Sequence, residues 1–279
     1  MSLPIEDNEI RVIGQPGPER RGPRWVWVLA AAAVLAVVAG VGIHGCLSRS
    51  AATVGDSPVA RQSESWLVAG ADTTRPGIHH RTVDIDTTRL HIYLPIMATA
   101  ELCLGEPDST DGSILMAALA ADLRRDNGHI VGAFVLHGEP LSWGLSKRGY
   151  CAILDGTANI GVADNTPLFE QATEVGGDFF RQYPAVDNGI AQENNPENSS
   201  FRRALCSLDG YTCLVCSEAR MTMNDFAATL ASLDVDNAIF LVGGEADGWY
   251  READGKQVYL GRYANRKNRF LNYLVFRRQ

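Results

Sequence analysis

The residues best suited to chemistry follow a short apolar run in AIFLVGGEADGWYRE, residues 238–252. The run is typical of a buried strand. The pair Gly243 and Gly244 then lets the backbone turn sharply or lie close to a ligand, with amides that can bind an anion. Glu245 and Asp247 come next, at the end of the strand, where binding and catalytic groups often lie. We therefore predict Glu245 and Asp247 as catalytic carboxylates and the two glycines as substrate-binding residues. The alternative is a tight turn that carries solvated charge.

Two polar residues elsewhere in the sequence are candidates for ligand binding. Arg203 carries a planar guanidinium that can bind two phosphate oxygens at once, whereas a lysine offers only a point charge. Asn188, which precedes Gly189, can hydrogen-bond a sugar hydroxyl. The alternatives are an exposed strand charge for Arg203 and ordinary Asn-Gly turn chemistry for Asn188. No metal-binding cluster stands out in the sequence, so we predict neither a metal ion nor a cofactor.

The elements that must hold these residues form a mixture of strands and helices. Residues 81–95, RTVDIDTTRLHIYLP, alternate apolar and polar side chains as a half-buried strand does, and residues 129–136, HIVGAFVL, are typical of a buried strand. Residues 113–125, SILMAALAADLRR, have apolar side chains at helical spacing, and Thr222 with Asp225 forms a capping box at the start of a second helix. Because the strands and helices do not alternate strictly, we predict an α+β fold in which helices pack on a mixed sheet.

Three of the six cysteines lie in RALCSLDGYTCLVCSEA, residues 203–219. Asp209-Gly210 is a typical two-residue hairpin turn, and a hairpin there puts Cys206 directly opposite Cys213. Cys213 and Cys216 are three residues apart, so on a strand they point to opposite faces and cannot bind one zinc ion. A cross-strand disulfide between Cys206 and Cys213 and a pair of buried thiols are both open at this stage.

An uncharged apolar segment, residues 25–43, runs from Trp25 to Ile43. At a rise of about 1.5 Å per residue it is just long enough to cross a hydrocarbon core about 30 Å thick. Three arginines precede it closely, and the positive-inside rule keeps that end in the cytoplasm. A cleaved signal peptide is the alternative. We predict a single-pass anchor in the cytoplasmic membrane, with the rest of the chain periplasmic or otherwise extracytoplasmic.

The composition around this segment gives the predicted domain organisation. Residues 1–24 are expected to be a cytoplasmic tail, residues 25–45 the membrane anchor, residues 46–78 a linker and residues 79–279 a globular domain. The formal net charge of -8 comes from 25 Lys and Arg against 33 Asp and Glu. A protein this acidic is not expected to bind nucleic acid in general.

Four segments, VGAFVLHGEPLSWGL, QYPAVDNG, FRRAL and AIFLVGGEA, follow one another along the chain. Their order resembles the bacterial phosphodiester glycosidase family over about residues 79–250. The resemblance implies a hydrolase that acts on a sugar-phosphate diester in the cell envelope. It also implies that five positions converge on one pocket, namely those near Phe134, Gly144, Asn188, Arg203 and Gly244.

Two positions depart from the pattern of that family. Val131 stands where the family usually has asparagine, and Val242 stands where it has the aspartate before the glycines. An aspartate there can take part in acid–base chemistry or order the turn, and a valine can do neither. Either Glu245 has taken over the role of the carboxylate, or the chain is a catalytically impaired relative. In the second case it would bind a glycan or an anion, or contact another envelope protein.

Overall fold

The structure is a computed structural model that describes residues 65–195, 197–243, 247–261 and 268–279. All of them belong to one compact unit, Gln62–Gln279. The expected membrane anchor, from Trp25 to Ile43, lies outside the described residues. Within the described part of the chain, neither helix has the length and apolar character needed to span a bilayer.

The largest sheet has seven antiparallel strands. In spatial order they are β1 (Gly77–Ile85), β2 (Thr88–Ile96), β13 (Tyr211–Ser217), β12 (Arg203–Leu208), β14 (Val235–Phe240), β10 (Pro184–Asp187) and β11 (Ile190–Ala191). The turn between β12 and β13 is Asp209-Gly210, with φ values of 51° and 77°. Positive φ at both residues is the geometry whose twist matches a two-residue hairpin, so this predicted turn is confirmed.

Two further antiparallel sheets have five strands each. One consists, in spatial order, of β16 (Gln257–Tyr259), β15 (Gly248–Arg251), β4 (Ile114–Leu119), β17 (Asn272–Arg278) and β3 (Ala98–Leu104). The other consists of β6 (Glu139–Trp143), β5 (Ala133–Leu136), β9 (Asp178–Gln182), β7 (Gly149–Leu154) and β8 (Thr157–Val162). We call these the second and third sheets.

The predicted α+β fold class is wrong, because the described residues are mostly β-strand. They include only two helices, α1 (Leu168–Val175) and α2 (Met223–Ser232), of eight and ten residues. The predicted cap of α2 is confirmed, since Thr222 Oγ1 accepts a hydrogen bond from the Asp225 backbone N–H at 3.0 Å. The helix predicted at residues 113–125 is instead strand β4.

Strand β4 shows why the helix prediction failed. It pairs with β15 on one side and β17 on the other, and all six of its residues are buried. A strand covered on both faces has no polar alternation, so its apolar run cannot be told from a buried helix by periodicity alone. Tertiary packing therefore decided the type of this element.

A shared core joins the three sheets. Its fully buried side chains include Leu205, Leu214 and Ile239 from the large sheet, Met116 and Leu274 from the second sheet, and Phe134 and Phe180 from the third. The opposite face of the large sheet packs against α2 and Leu67. Both faces of the large sheet are therefore covered, and ligand access is left to its edges and strand ends.

The cysteine geometry agrees with the hairpin prediction. Cys206 lies directly opposite Cys213 in the β12–β13 ladder. Both are fully buried free thiols, and Cys213 and Cys216 pack into different cores. Burial, with the neighbouring Cys213 as a further cause, raises the pKa of the Cys206 thiol well above its usual range. The buried-thiol alternative describes this structure.

Candidate functional site

A cleft of about 510 Å³ opens at one end of the large sheet. Its wall contains a row of three directly paired residues, Arg203 on β12, Cys216 on β13 and His91 on β2. Directly paired residues of an antiparallel sheet share a face, so these side chains stand side by side. Cys216 is small, and it leaves space between the longer side chains that flank it.

Arg203 is the best candidate for binding a ligand in this cleft. The residue is only 1% exposed. Its Nη2 donates to the Leu260 carbonyl at 2.8 Å, and the guanidinium also lies within hydrogen-bonding reach of the Cys216 thiol. No hydrogen bond of ordinary geometry reaches its Nε and Nη1 among the described residues, and both atoms are covered from solvent. Burying a charge without partners is costly. An anion with two oxygens is the ligand that would satisfy such a guanidinium.

The backbone around Arg203 is shaped to accept it. Gly248 on β15 lies so close that a Cβ atom there would be 2.9 Å from Arg203 Nη1 and 3.2 Å from the Ala117 carbonyl oxygen.

Burial raises the pKa of the neighbouring Cys216 thiol, and the charge of Arg203 opposes that shift. Burial also raises the pKa of the Tyr93 phenol well above its usual range, so Tyr93 presents a neutral hydroxyl.

Two histidines and a glutamate lie at the same end of the sheet. His91 Nδ1 is 3.0 Å from His80 Nε2, and His91 Nε2 is 3.4 Å from Glu218 Oε2. The His80 ring stacks on the Tyr93 ring with centroids 4.6 Å apart. Glu218 Oε2 is also 3.6 Å from Arg89 Nε. His91 and Glu218 line the cleft, and the sequence reasoning missed both.

The alternation of β2 contained a signal for His91. His91 and Tyr93 are two residues apart, so they share a face of the strand. The strand that pairs with β2 and extends this face of the sheet is β13, which lies some 120 residues away along the chain. The row could therefore be recognised only after the pairing of β2 with β13 was known.

The predicted site residues around the glycine pair have different outcomes. Gly244 and Glu245 lie outside the described residues. Gly243 is exposed, and a Cβ atom there would meet nothing within 4 Å, so no steric contact requires a glycine. Asp247 is buried at 7% exposure, and its backbone carbonyl accepts from the Leu119 N–H at 3.3 Å. Gly243 and Asp247 are not among the described residues that line the cleft.

Asn188 is not brought together with Arg203. It occupies a turn with φ of 47°, and its Nδ2 donates to Asp187 Oδ1 at 2.8 Å. The backbone N–H of Gly189, the next residue in this turn, donates to the Asp236 carbonyl near the start of β14. The Arg203 carbonyl instead accepts from the Leu241 N–H just beyond the end of β14. At about 3.3 Å per residue, these two ends of β14 are roughly 16 Å apart.

The expected convergence of five positions on one pocket is not found among the described residues. Arg203 lines the cleft, whereas Phe134 is fully buried in the shared core. Gly144 packs against the backbone of Gly132, beside the third sheet. Of these five motif positions, Arg203 is the only described residue that lines the cleft.

No protein-family profile and no curated protein matches this sequence. Solved structures with the same type of fold do match. One is the catalytic domain of zebrafish N-acetylglucosamine-1-phosphodiester α-N-acetylglucosaminidase, auto-inhibited by its pro-peptide. The identity is 13% and the TM-score 0.51, over 74% of this chain and 83% of that chain. A hypothetical protein from Synechocystis matches with 14% identity and a TM-score of 0.52, over 72% of this chain and 62% of that one.

These matches define the class of the domain at the level of its fold. The chain is a three-sheet antiparallel domain with a distant fold relationship to the zebrafish catalytic domain. At such low identity the likeness concerns the fold alone, so a function has to be argued from the cleft itself.

Proposed function

We propose that this chain is a phosphodiester glycosidase-like protein that binds a sugar-phosphate diester in the Arg203 cleft and hydrolyses it. In this proposal residues 25–43 hold it in the cytoplasmic membrane, with the domain on the extracytoplasmic side. The observation that carries the proposal is the buried guanidinium on the wall of the cleft, whose Nε and Nη1 have no hydrogen bond of ordinary geometry among the described residues. The distant fold likeness to a phosphodiester-cleaving glycosidase domain supports it.

The chemistry of the cleft fits such a ligand. A phosphodiester has one negative charge and two non-bridging oxygens, which match two donors of a guanidinium. The cleft volume of about 510 Å³ is within the range of about 300–1,000 Å³ that small-molecule sites occupy. Tyr259 lines the cleft and is 54% exposed, so its ring offers an apolar surface on which a sugar can lie.

Binding without hydrolysis is the second candidate function, and Val242 favours it. This side chain packs against the apolar cluster that contains Trp249 and Leu271. It therefore has the role of a packing residue at the position where the resembled family has its aspartate. A protein with this substitution would keep the anion site and lose a carboxylate that hydrolysis would use. Such a protein would bind a glycan or an anion without cleaving it.

The test compares Arg203→Met and Arg203→Lys with the unaltered full-length chain. We expect the methionine variant to bind dimethyl phosphate about 10- to 100-fold more weakly, because hydrogen bonds to charged groups contribute about 1.5–3 kcal/mol. The lysine variant should recover only part of this affinity, since it lacks the second donor. Arg148→Met is the control, because Arg148 is an exposed partner of Asp164 beside the ends of β7 and β8. Calorimetry measures the binding.

Turnover separates the two candidate functions. The p-nitrophenyl diester of N-acetylglucosamine 1-phosphate and UDP-N-acetylglucosamine are suitable substrates. Release of free sugar that Arg203→Met abolishes supports the hydrolase. Arg203-dependent binding without release supports the binding protein. Binding that is equal in the unaltered chain and Arg203→Met contradicts both.

A further inference from the structure

The loop between β6 and β7 exposes two large apolar side chains. Trp143, the last residue of β6, is 66% exposed, and Leu145 is 70% exposed. Only Gly144 separates them in the sequence, and neither side chain lines the Arg203 cleft. One exposed apolar residue needs no explanation, but a tryptophan and a leucine on the same loop are candidates for a contact surface. We call residues 143–147 the tip loop.

Buried contacts hold the base of the tip loop. A Cβ atom on Gly144 would lie 3.2 Å from Gly132 Cα, so these two backbones are in close contact. At the other end of the loop, the side chain of Lys147 is only 5% exposed. Its Nζ pairs with Asp122 and donates to Gln182 Oε1 at 2.9 Å. The loop thus buries its lysine and exposes its tryptophan and leucine, which is the reverse of the usual distribution.

We propose that the tip loop inserts Trp143 and Leu145 into the interface of the membrane in which residues 25–43 are proposed to lie. The inference rests on the membrane location proposed above, and it adds the face of the domain that meets the bilayer. Tryptophan is enriched at the membrane–water interface, because its ring is apolar while its N–H can stay in contact with water. Leucine is among the side chains that enter the hydrocarbon most favourably.

The chain between the apolar segment and the domain is long enough for this contact. Residues 44–64 lie between that segment and the first described residue. At about 3.5 Å per residue, a chain of this length extends at most about 70 Å. A compact unit as long as Gln62–Gln279 is roughly 45 Å across, so the tip loop can reach the bilayer from any side of the domain. Because such a tether keeps the loop near the lipid, a small apolar contact is enough to hold it there.

A lipid surface fits the tip loop better than a protein partner does. Each partner in a stable protein interface buries about 800 Å², which is far more than two side chains provide. A protein partner also needs a surface of matching shape. A bilayer interface takes up a tryptophan and a leucine without such a match.

The charges beside the tip loop do not oppose contact with lipid. Arg148, just after the loop, and Arg124, in the adjacent hairpin of residues 123–130, are each paired with an aspartate, at 2.8 and 3.1 Å. Arg125 in the same hairpin is exposed. These groups together carry a small positive charge, although the whole chain has a formal net charge of -8. Anionic headgroups would therefore not repel this face, and we expect insertion to depend only weakly on anionic lipid.

The five tryptophans of the chain allow the proposal to be tested in one sample. The full-length chain carries fluorinated tryptophan, each signal is assigned with a Trp→Phe variant, and single copies are placed in lipid nanodiscs. A nitroxide on the lipid chains near the headgroups broadens fluorine signals in the interface, and a soluble gadolinium chelate broadens those in water. We expect Trp143 to be broadened by the lipid nitroxide and protected from the chelate. Trp249, which is 4% exposed, should respond weakly to both.

Leu145→Asp tests whether the apolar tip causes the contact. We expect this variant to lower the broadening of Trp143 by the lipid nitroxide about tenfold, because a charged side chain opposes insertion. Ile190→Asp is the matched control, since Ile190 is 68% exposed on β11 of the large sheet and should leave the broadening unchanged. Both substitutions are at exposed side chains, so the core stays intact. Equal broadening of Trp143 in the two variants would overturn the proposal.

Trp25 and Trp27 distinguish failure of this inference from failure of the proposed location. If the lipid nitroxide broadens both of them while Trp143 is open to the chelate, the anchor stands and the insertion of the tip loop is refuted. A Trp143 signal protected from both agents would indicate a protein contact and would refute the insertion as well. If the lipid nitroxide broadens none of the three, the proposed membrane location itself fails. The binding tests on Arg203 are independent of all these results.

Discussion

Arg203 reaches its place at the end of the large sheet because β15 offers it a backbone without a side chain. Gly248 is in contact with the guanidinium, so a methyl group there would fall at 2.9 Å from Arg203 Nη1. Real Cβ atoms do not approach other atoms so closely, and the Ala117 carbonyl at 3.2 Å blocks a shift the other way. The position of the Arg203 guanidinium therefore depends on a glycine that has no chemistry of its own.

Gly248→Ala is expected to weaken both folding and binding. Overpacking in a buried site costs about 1–3 kcal/mol, and here it would also displace the Arg203 guanidinium. We expect a lower Tm and weaker dimethyl phosphate binding, measured by thermal unfolding and calorimetry. Gly243→Ala is the matched control, because the added Cβ meets nothing within 4 Å. Equal behaviour of the two variants would show that Gly248 does not determine the position of Arg203.

At the scale of secondary-structure elements, buried polar side chains form hydrogen bonds between strands that are far apart in the sequence. Asp178 on β9 accepts hydrogen bonds from the Leu102 N–H of β3 at 2.8 Å and from the His137 N–H at 2.6 Å. His137 occupies a tight turn with φ of 50°, and its Nδ1 is 3.2 Å from the same carboxylate. One carboxylate thus fixes a turn of the third sheet and a strand of the second sheet.

Asp178→Asn is expected to destabilise the fold. An amide has one acceptor oxygen, so one of the two backbone N–H donors would face an NH₂ group and lose its partner. A buried donor left unsatisfied costs about 1–3 kcal/mol. Urea unfolding measures the loss, and Asp155→Asn, at the exposed turn of the β7–β8 hairpin, is the control. No difference between the two variants would contradict the bridging role.

The C-terminal strand β17 lies between β4 and β3, and Arg277 ties it to the loop before β4. Its Nη1 donates to Asp111 Oδ2 and to Ser113 Oγ, each at 2.6 Å, and its Nε pairs with Glu101. Hydrogen bonds from Arg277 and from Ser113 lower the pKa of Asp111 from 3.8 to about 2. The basic C-terminal strand therefore carries an arginine that is paired with acids on two neighbouring segments.

Acid sensitivity follows from the sign of that pKa shift. The folded pKa of Asp111 is below its unfolded value, so its stabilising contribution is present above about pH 3.8 and is lost as the pH falls through about 2. We expect Arg277→Gln to flatten the dependence of Tm on pH between 4 and 2. Arg278→Gln is the control. A slope that is unchanged in Arg277→Gln would show that the ion pair does not contribute to acid unfolding.

At the scale of the whole molecule, the core of the large sheet includes residues that precede its first strand. Leu67 is fully buried and packs with α2 and the outer face of that sheet. Strand β1 begins at Gly77, where it pairs with Ile96. The folded unit therefore needs side chains from the segment that was expected to be a linker.

Two forms of the protein with different N-terminal residues test whether residues 62–78 stabilise the fold. We expect residues 62–279 to unfold at a higher temperature than residues 79–279, because the shorter form lacks the Leu67 side chain and the first pairs of β1. Burial of a leucine contributes about 1.5–3 kcal/mol, which corresponds to a difference of roughly 5 °C or more for a domain of this size. Calorimetry measures both midpoints. Equal midpoints would show that residues 62–78 do not stabilise the fold.

Local chemistry in the sequence determined the features that depend on a few neighbouring residues. Asp155-Gly156 and Asp209-Gly210 form hairpin turns because Asp and Gly tolerate the positive φ that these turns require. Thr222 begins a helix because its hydroxyl satisfies an N–H that lacks a partner in the first turn. The order of four short segments also indicated the distant fold relationship that the solved structures support.

Only the tertiary structure decided which residues meet. The row of Arg203, Cys216 and His91 exists because β13 pairs with β12 on one side and with β2 on the other. Strand pairing at long sequence separation depends on the packing of the whole core, which periodicity within one segment does not encode. The same packing made residues 113–125 contribute a buried strand instead of a helix, and it separated Asn188 from Arg203.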